Sequence, residues 1–194
     1  MALALSPTPS QVGPHVVPLS GTTGAVGPRD DRGARFGRRR PRTPVDLLVV
    51  AEHFARTADS WPGLADPVAR CWRTIAATDR FEAWVVAWPV GGAVELHDHG
   101  ASAGAVVVAS GTLVETALRR RSGGDLVETS TPVPPGGHLV FGPGHVHDLV
   151  NHGPGPALSV HVYSPALSTM TYFARDDGLV AVRTEHYRDG LLVG

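Results

Sequence analysis

Residues 91–104 read GGAVELHDHGASAG and residues 142–151 read GPGHVHDLVN. In the first stretch His97 and His99 are one residue apart in a short segment bounded by glycines. Strand side chains alternate faces, so both imidazoles are expected to point one way while Asp98 points the other. The second stretch repeats the arrangement with His145 and His147, and Asn151 follows four residues after His147. Two such pairs in one small chain predict a bound metal ion. His97 and His99 supply two candidate ligands, and His145 and His147 compete for the third place.

Outward from these stretches the chain reads as strands. FEAWVVAWPV, AVELHDH, GAVVVASGTLVETALR, DLVETSTPV, HLVFG, HDLVN, ALSVHVYS and GLVAVRTEHY are short, rich in Val, and separated by Gly or Pro. Their number and spacing predict an all-β antiparallel sandwich or barrel. Upstream, DLLVVAEHFARTAD carries Leu47, Val50, Ala51 and Phe54 at helical spacing, with Thr43 as N-cap and Pro44 in the first turn. Residues 60–67 read as a loop. PVARCWRTIAAT, residues 67–78, reads as a second short helix, with Arg70 and Arg73 one turn apart on a single face.

The 194 residues suit one domain. Hydrophobic residues make up 42% and charged residues 18%, which is enough apolar material for a packed core. The formal charge of −1 removes a whole-molecule electrostatic case for binding nucleic acid or acidic membranes and points to a small-molecule partner. No apolar run approaches the roughly 20 residues that span a bilayer, and MALALS lacks the basic and long apolar regions of a secretory signal. The single cysteine, Cys71, excludes an internal disulfide and a thiolate cage, in keeping with a cytoplasmic setting. Residues 1–43, rich in Arg, Pro and Gly and without periodicity, are expected to form a disordered tail ahead of one domain over 44–194.

In ALSVHVYSPA, residues 157–166, Ser159, His161 and Tyr163 alternate and so share one face of a strand. Taken alone, such a line of polar side chains describes a solvated exterior. Trp84 and Trp88, four apart in a strand-like segment, are assigned to core or rim packing. His53, His138, His152 and His186 have no spaced partners and are assigned to the surface or to satisfied packing. Cys71 is read as a small buried apolar group.

The spacing G91-x5-H97-x-H99-x4-G104-x6-G111 resembles the first cupin motif, and G144-x2-H147-x3-N151 resembles the second. WPVGGAVELHDHGASAG, followed by SGTLVET, HDLVN and SVHVYSP, closely resembles thiol dioxygenases of the cysteine dioxygenase type over about residues 70–173. The resemblance implies a cupin jelly-roll barrel with short N-terminal helices. Where ordinary cupins carry a glutamate ligand this chain has Gly104, which implies Fe(II) held by three neutral histidines, His97, His99 and His147. The implied reaction oxidises L-cysteine with O2 to cysteine sulfinic acid, in a monomer with neither nucleic-acid nor membrane partner. Ser159, His161 and Tyr163 would form an inward hydrogen-bonded relay, with the Tyr163 hydroxyl beside the substrate.

An arginine upstream of the first histidine pair would bind the substrate carboxylate. Arg73 is the first candidate, with Arg70 and Arg80 behind it. In the mercaptopropionate branch a glutamine stands at that place, and the only glutamine here is Gln11. The thioether that many members form to the tyrosine starts from the position of Gly104, so Tyr163 is expected to be uncrosslinked. The family also implies a cis Ser164–Pro165 bond. The competing readings are a dioxygenase of another small thiol, such as 3-mercaptopropionate, and a metal-binding cupin without turnover.

Overall fold

The structure is a computed structural model and describes residues 43–57, 61, 64–121, 125–176 and 178–193. Nearly all of the tail expected over 1–43 therefore lies outside the described residues. One helix, α1 (Pro44–Ala55), precedes twelve strands: β1 (Cys71–Ala77), β2 (Glu82–Trp88), β3 (Ala93–His97), β4 (Ala103–Ser110), β5 (Leu113–Arg120), β6 (Leu126–Val133), β7 (His138–Phe141), β8 (Val146–Val150), β9 (Ala157–Ser164), β10 (Thr169–Arg175), β11 (Leu179–Arg188) and β12 (Leu191–Leu192). They form a five-stranded sheet in the order β1-β2-β9-β4-β7 and a seven-stranded sheet in the order β12-β11-β10-β3-β8-β5-β6. The fold is all-β, as expected, with the two antiparallel sheets packed face to face over one core.

Helix α1 starts where the sequence predicts. The Asp46 N–H donates to the Thr43 side chain and the Thr43 N–H donates to the Asp46 carboxylate, a reciprocal cap that satisfies two otherwise orphaned donors. Its fully buried Leu47 and Ala51 pack on Ala83, Ala105, Val107, Val160 and Val162, on the outer face of the five-stranded sheet. That sheet is covered on both faces, so β2 and β9 are buried at every position. This is why β2 reads as an unbroken apolar run over residues 83–88, whereas β9, equally buried, alternates its apolar residues with Ser159, His161 and Tyr163. The seven-stranded sheet faces the core on one side only, and β5 accordingly alternates in burial along its first six residues.

Between the sheets lies the main core, with Trp72, Trp84, Val86 and Trp88 from one side and Leu113, Leu149, Met170 and Tyr172 from the other. Truncating a fully enclosed side chain such as Leu149 would cost about 2–5 kcal/mol.

The second helix expected over 67–78 is not formed. Residues 71–77 are strand β1, paired antiparallel with β2, Trp72 opposite Val86 and Arg73 opposite Val85. The Ala and Arg content favours helix locally. Trp72, however, can enter the core only from an extended chain, and the β-branched Thr74 and Ile75 suit a pleated surface, so sheet pairing overrides propensity. Strands β10 and β12 are additional to the sequence-predicted set. No helix among the described residues is long and apolar enough to cross a membrane.

Candidate metal centre

His97 is the last residue of β3 and sits directly opposite His147 of β8 in the ladder, so the two rings are cross-strand neighbours on the inner face. His99 lies two residues on, where Gly100 turns the chain at φ 56. Asp98 points the other way, as expected, and its carboxylate accepts the N–H groups of Gly100 and Thr171 at 3.1 and 3.3 Å. All three histidines are buried, and one ring nitrogen of each lies within 4.8 Å of the others, a grouping able to hold a metal ion.

The outer contacts decide which nitrogens face inward. The His97 Nδ1 lies 2.7 Å from the Glu95 carbonyl oxygen and the His147 Nδ1 lies 2.8 Å from Glu115 Oε1. A carbonyl and a carboxylate only accept, so each Nδ1 carries the hydrogen and each Nε2 presents a lone pair. The His147 Nε2 is buried without a partner, and the Nε2 atoms of His97 and His99 are 3.2 Å apart. Burial, reinforced by the neighbouring imidazoles, holds His97 and His99 well below the usual imidazole range. Burial also lowers His147, against the opposing pull of Glu115. Lone pairs converging from His97 and His147, with the uncharged and desolvated His99 ring beside them and no hydrogen bond holding its Nδ1, form a donor set that fits a divalent transition-metal ion.

His145, the competitor for the third place, directs its Nε2 to Glu115 Oε1 at 2.9 Å, so the carboxylate occupies it. A second grouping of Glu115, His145 and His147 exists, but its donor atoms already satisfy one another. Burial pushes the Glu115 carboxyl up, yet hydrogen bonds from His145 and His147 outweigh this and bring it down to about 2. The sequence reading missed Glu115, which stands 32 residues before His147 and reaches it only through the β5–β8 ladder.

The opposite wall carries the polar line of β9. Ser159 Oγ is 2.8 Å from His161 Nε2, and His161 Nδ1 is 3.2 Å from the Tyr163 hydroxyl. All three residues are buried and turned into the core, so the solvated-exterior reading fails for them. Burial, reinforced by the neighbouring His147 ring and the Arg70 guanidinium, lowers His161 to about 3. Burial pushes the Tyr163 phenol far up. The His99 ring bridges the two walls, stacked on Phe141 at 4.8 Å between centroids and 5.1 Å from Tyr163.

A cavity of about 30 Å³ opens beside His97, His161 and Tyr163. It is lined by Trp72, Trp84, Trp88, Tyr172 and Tyr187, and by one cation, Arg70. Arg73, the first candidate for the carboxylate, faces away from this cavity. In a strand, residues three apart face opposite ways, and Arg73 pairs with Val85, which packs in the separate cluster around Leu64. Arg70 instead shares a side with Trp72, its guanidinium 5.8 and 5.6 Å from the rings of Trp72 and Trp88. Neither Arg73 nor Arg80 lines the cavity. The signal for Arg70 was present as the i, i+2 pair with Trp72, and the helical reading of the segment concealed it.

Residues 41–176 match the family model described as cysteine dioxygenase type I. The chain belongs to this family. Several solved structures are also similar to it. An uncharacterised conserved protein with a double-stranded β-helix domain from Klebsiella pneumoniae is 20% identical, over 65% of this chain and 94% of its own, with a TM-score of 0.43. An oxalate oxidase in complex with glycolate is 20% identical over 57% and 58%, TM-score 0.46. A sugar phosphate isomerase from a cupin superfamily of Silicibacter pomeroyi is 24% identical over 53% and 67%, TM-score 0.40.

Two features the family resemblance implied can be placed in this cysteine dioxygenase-type chain. Ser164–Pro165 is cis. At Gly104 a Cβ would overlap the Phe141 ring and come within 3.3 Å of the Tyr163 ring, so the space beside Tyr163 belongs to Phe141. Cys71, a free and half-buried thiol, packs on the far face of β1. His53, His138, His152 and His186 are all exposed.

Proposed function

We propose that this chain is a mononuclear iron enzyme that oxidises L-cysteine with O2 to cysteine sulfinic acid. His97, His99 and His147 would hold Fe(II) through their inward nitrogens, and the neutral rings would leave the ion its full 2+ charge. Iron bound there supplies the Lewis acidity that lowers a thiol pKa and the one-electron chemistry that ground-state dioxygen requires to react with a thiolate. The balance is simple: a thiol and one O2 give a sulfinic acid, both oxygen atoms ending on sulfur, with no external reductant.

The chain's own residues bind and orient. Arg70 offers a planar fork suited to a carboxylate and has no salt-bridge partner among the described residues. Aromatic side chains wall the cavity, whose volume of about 30 Å³ suits a small ligand. Tyr163 brings a hydroxyl to the cavity where negative charge develops on oxygen, held by His161 as His161 is by Ser159. The observation that carries this reading is a cluster of three buried imidazoles, one of which, His97, lines a small cavity together with one arginine and a buried tyrosine. The single free cysteine is in keeping with a reducing, cytoplasmic setting.

Oxygen uptake by Fe(II)-loaded protein with L-cysteine, 3-mercaptopropionate and cysteamine tests it. Cysteine should give the highest kcat/KM, with sulfinic acid formed one-to-one with O2. Preference for cysteamine, which lacks the carboxylate, would contradict the role of Arg70. Absence of uptake with every thiol would leave only the metal-binding cupin.

A further inference from the structure

The hydrogen bonds of the relay wall have a direction, and its far end sets it. Trp88 on β2 lies diagonally across the ladder from Ser159, with its indole Nε1 2.8 Å from Ser159 Oγ. An indole N–H can only donate, so Ser159 Oγ accepts it. The serine's own hydrogen is then free to reach His161 Nε2, 2.8 Å away, which must accept. A neutral imidazole has one hydrogen, so His161 carries it on Nδ1 and donates it to the Tyr163 oxygen at 3.2 Å. Burial of His161 supports the neutral form. Having accepted from His161, the tyrosine keeps its own hydrogen for a group in the cavity that Tyr163 and His97 both line.

We propose that Trp88 is a positioning residue that sets the polarity of the line Trp88, Ser159, His161, Tyr163, so that the Tyr163 hydroxyl donates into the cavity. Without the indole donor the line can reverse. His161 would then donate from Nε2 to Ser159, His161 Nδ1 would accept from Tyr163, and the phenol hydrogen would turn away from the cavity. The inference rests on the proposed function only for the use made of Tyr163, since the polarity itself follows from donor and acceptor chemistry. Trp88 also walls the cavity, its ring 6.2 Å from that of His161 and beside the Arg70 guanidinium. Trp88→Phe keeps an aromatic face there and removes the N–H.

Two readouts on the full chain test this. In Zn(II)-loaded protein with 15N-labelled histidine, NMR should find His161 protonated on Nδ1, the signal being assigned by its loss in His161→Asn. In Trp88→Phe a substantial part of that hydrogen should move to Nε2. In Fe(II)-loaded protein, Trp88→Phe should lower kcat for cysteine in proportion to the fraction of the line that reverses, and by no more than Tyr163→Phe is expected to lower it. The double variant should be no slower than Tyr163→Phe within a factor of about 2, because both changes remove one interaction. A wild-type His161 protonated on Nε2, a tautomer unchanged in Trp88→Phe, or two kinetic losses that multiply would each overturn the proposal. A tautomer shift in a protein that oxidises no thiol would instead uphold the polarity and defeat the proposed activity.

Discussion

The two walls of the cavity use the same side chain in opposite ways. On the seven-stranded sheet, His97 and His147 are each backed by a pure acceptor, Glu95 O and the Glu115 carboxylate, so their lone pairs are driven inward. On the five-stranded sheet, His161 is backed by a hydroxyl that is itself fed by an indole N–H. One wall gathers lone pairs and suits a cation. The other passes hydrogens along a line and suits a developing anion. The lesson is that the partner behind an imidazole, rather than the imidazole, assigns its role.

Substitutions on the two walls should therefore separate cleanly. The largest effect is expected on the lone-pair wall: His97→Ala or His147→Ala should abolish iron retention, read by metal analysis after reconstitution and desalting, whereas His145→Ala should keep the iron. On the hydrogen-passing wall, Tyr163→Phe should retain iron fully and lower kcat by about 10²–10³-fold, the loss typical of one donor to a developing oxyanion. Arg70→Ala belongs to neither wall's chemistry and should chiefly raise KM for cysteine, by about 10–100-fold for a lost charged hydrogen bond. Arg73→Ala should leave KM unchanged. Glu115→Gln keeps the shape and removes the charge behind His147, so iron affinity should fall about 10-fold in competition with a chelator.

The smallest effect concerns acid stability. His161 is held near 3 in the folded chain against 6.5 ordinarily. As pH falls from 6.5 toward 3, the unfolded chain takes up a proton that the folded chain refuses, so stability declines through that window. Thermal melts of metal-free protein should show Tm falling below pH 6.5, and less steeply in His161→Gln.

Sequence alone made the histidine site legible because its information is local. Histidines two residues apart on a strand share a face whatever lies around them, and glycine turns mark where the strands end. The relay series was legible by the same parity, although only family resemblance turned it inward. What escaped depended on pairing between distant segments. Arg70, and not Arg73, comes to line the cavity once 71–77 is extended rather than helical, with Trp72 entering a core that β2 completes. Glu115 and Trp88 lie 32 and 71 residues from the groups they orient, and no periodicity connects them. Their side chains read as strand filling until the registers of β5 with β8 and β2 with β9 are known.

X-ray absorption on the Fe(II)-loaded chain tests the central claim most directly. One iron per chain with three imidazole nitrogens in its shell, falling to two or to no bound iron in His147→Ala, is the predicted result. A shell containing the Glu115 carboxylate, or one unchanged when His147 is removed, would contradict it.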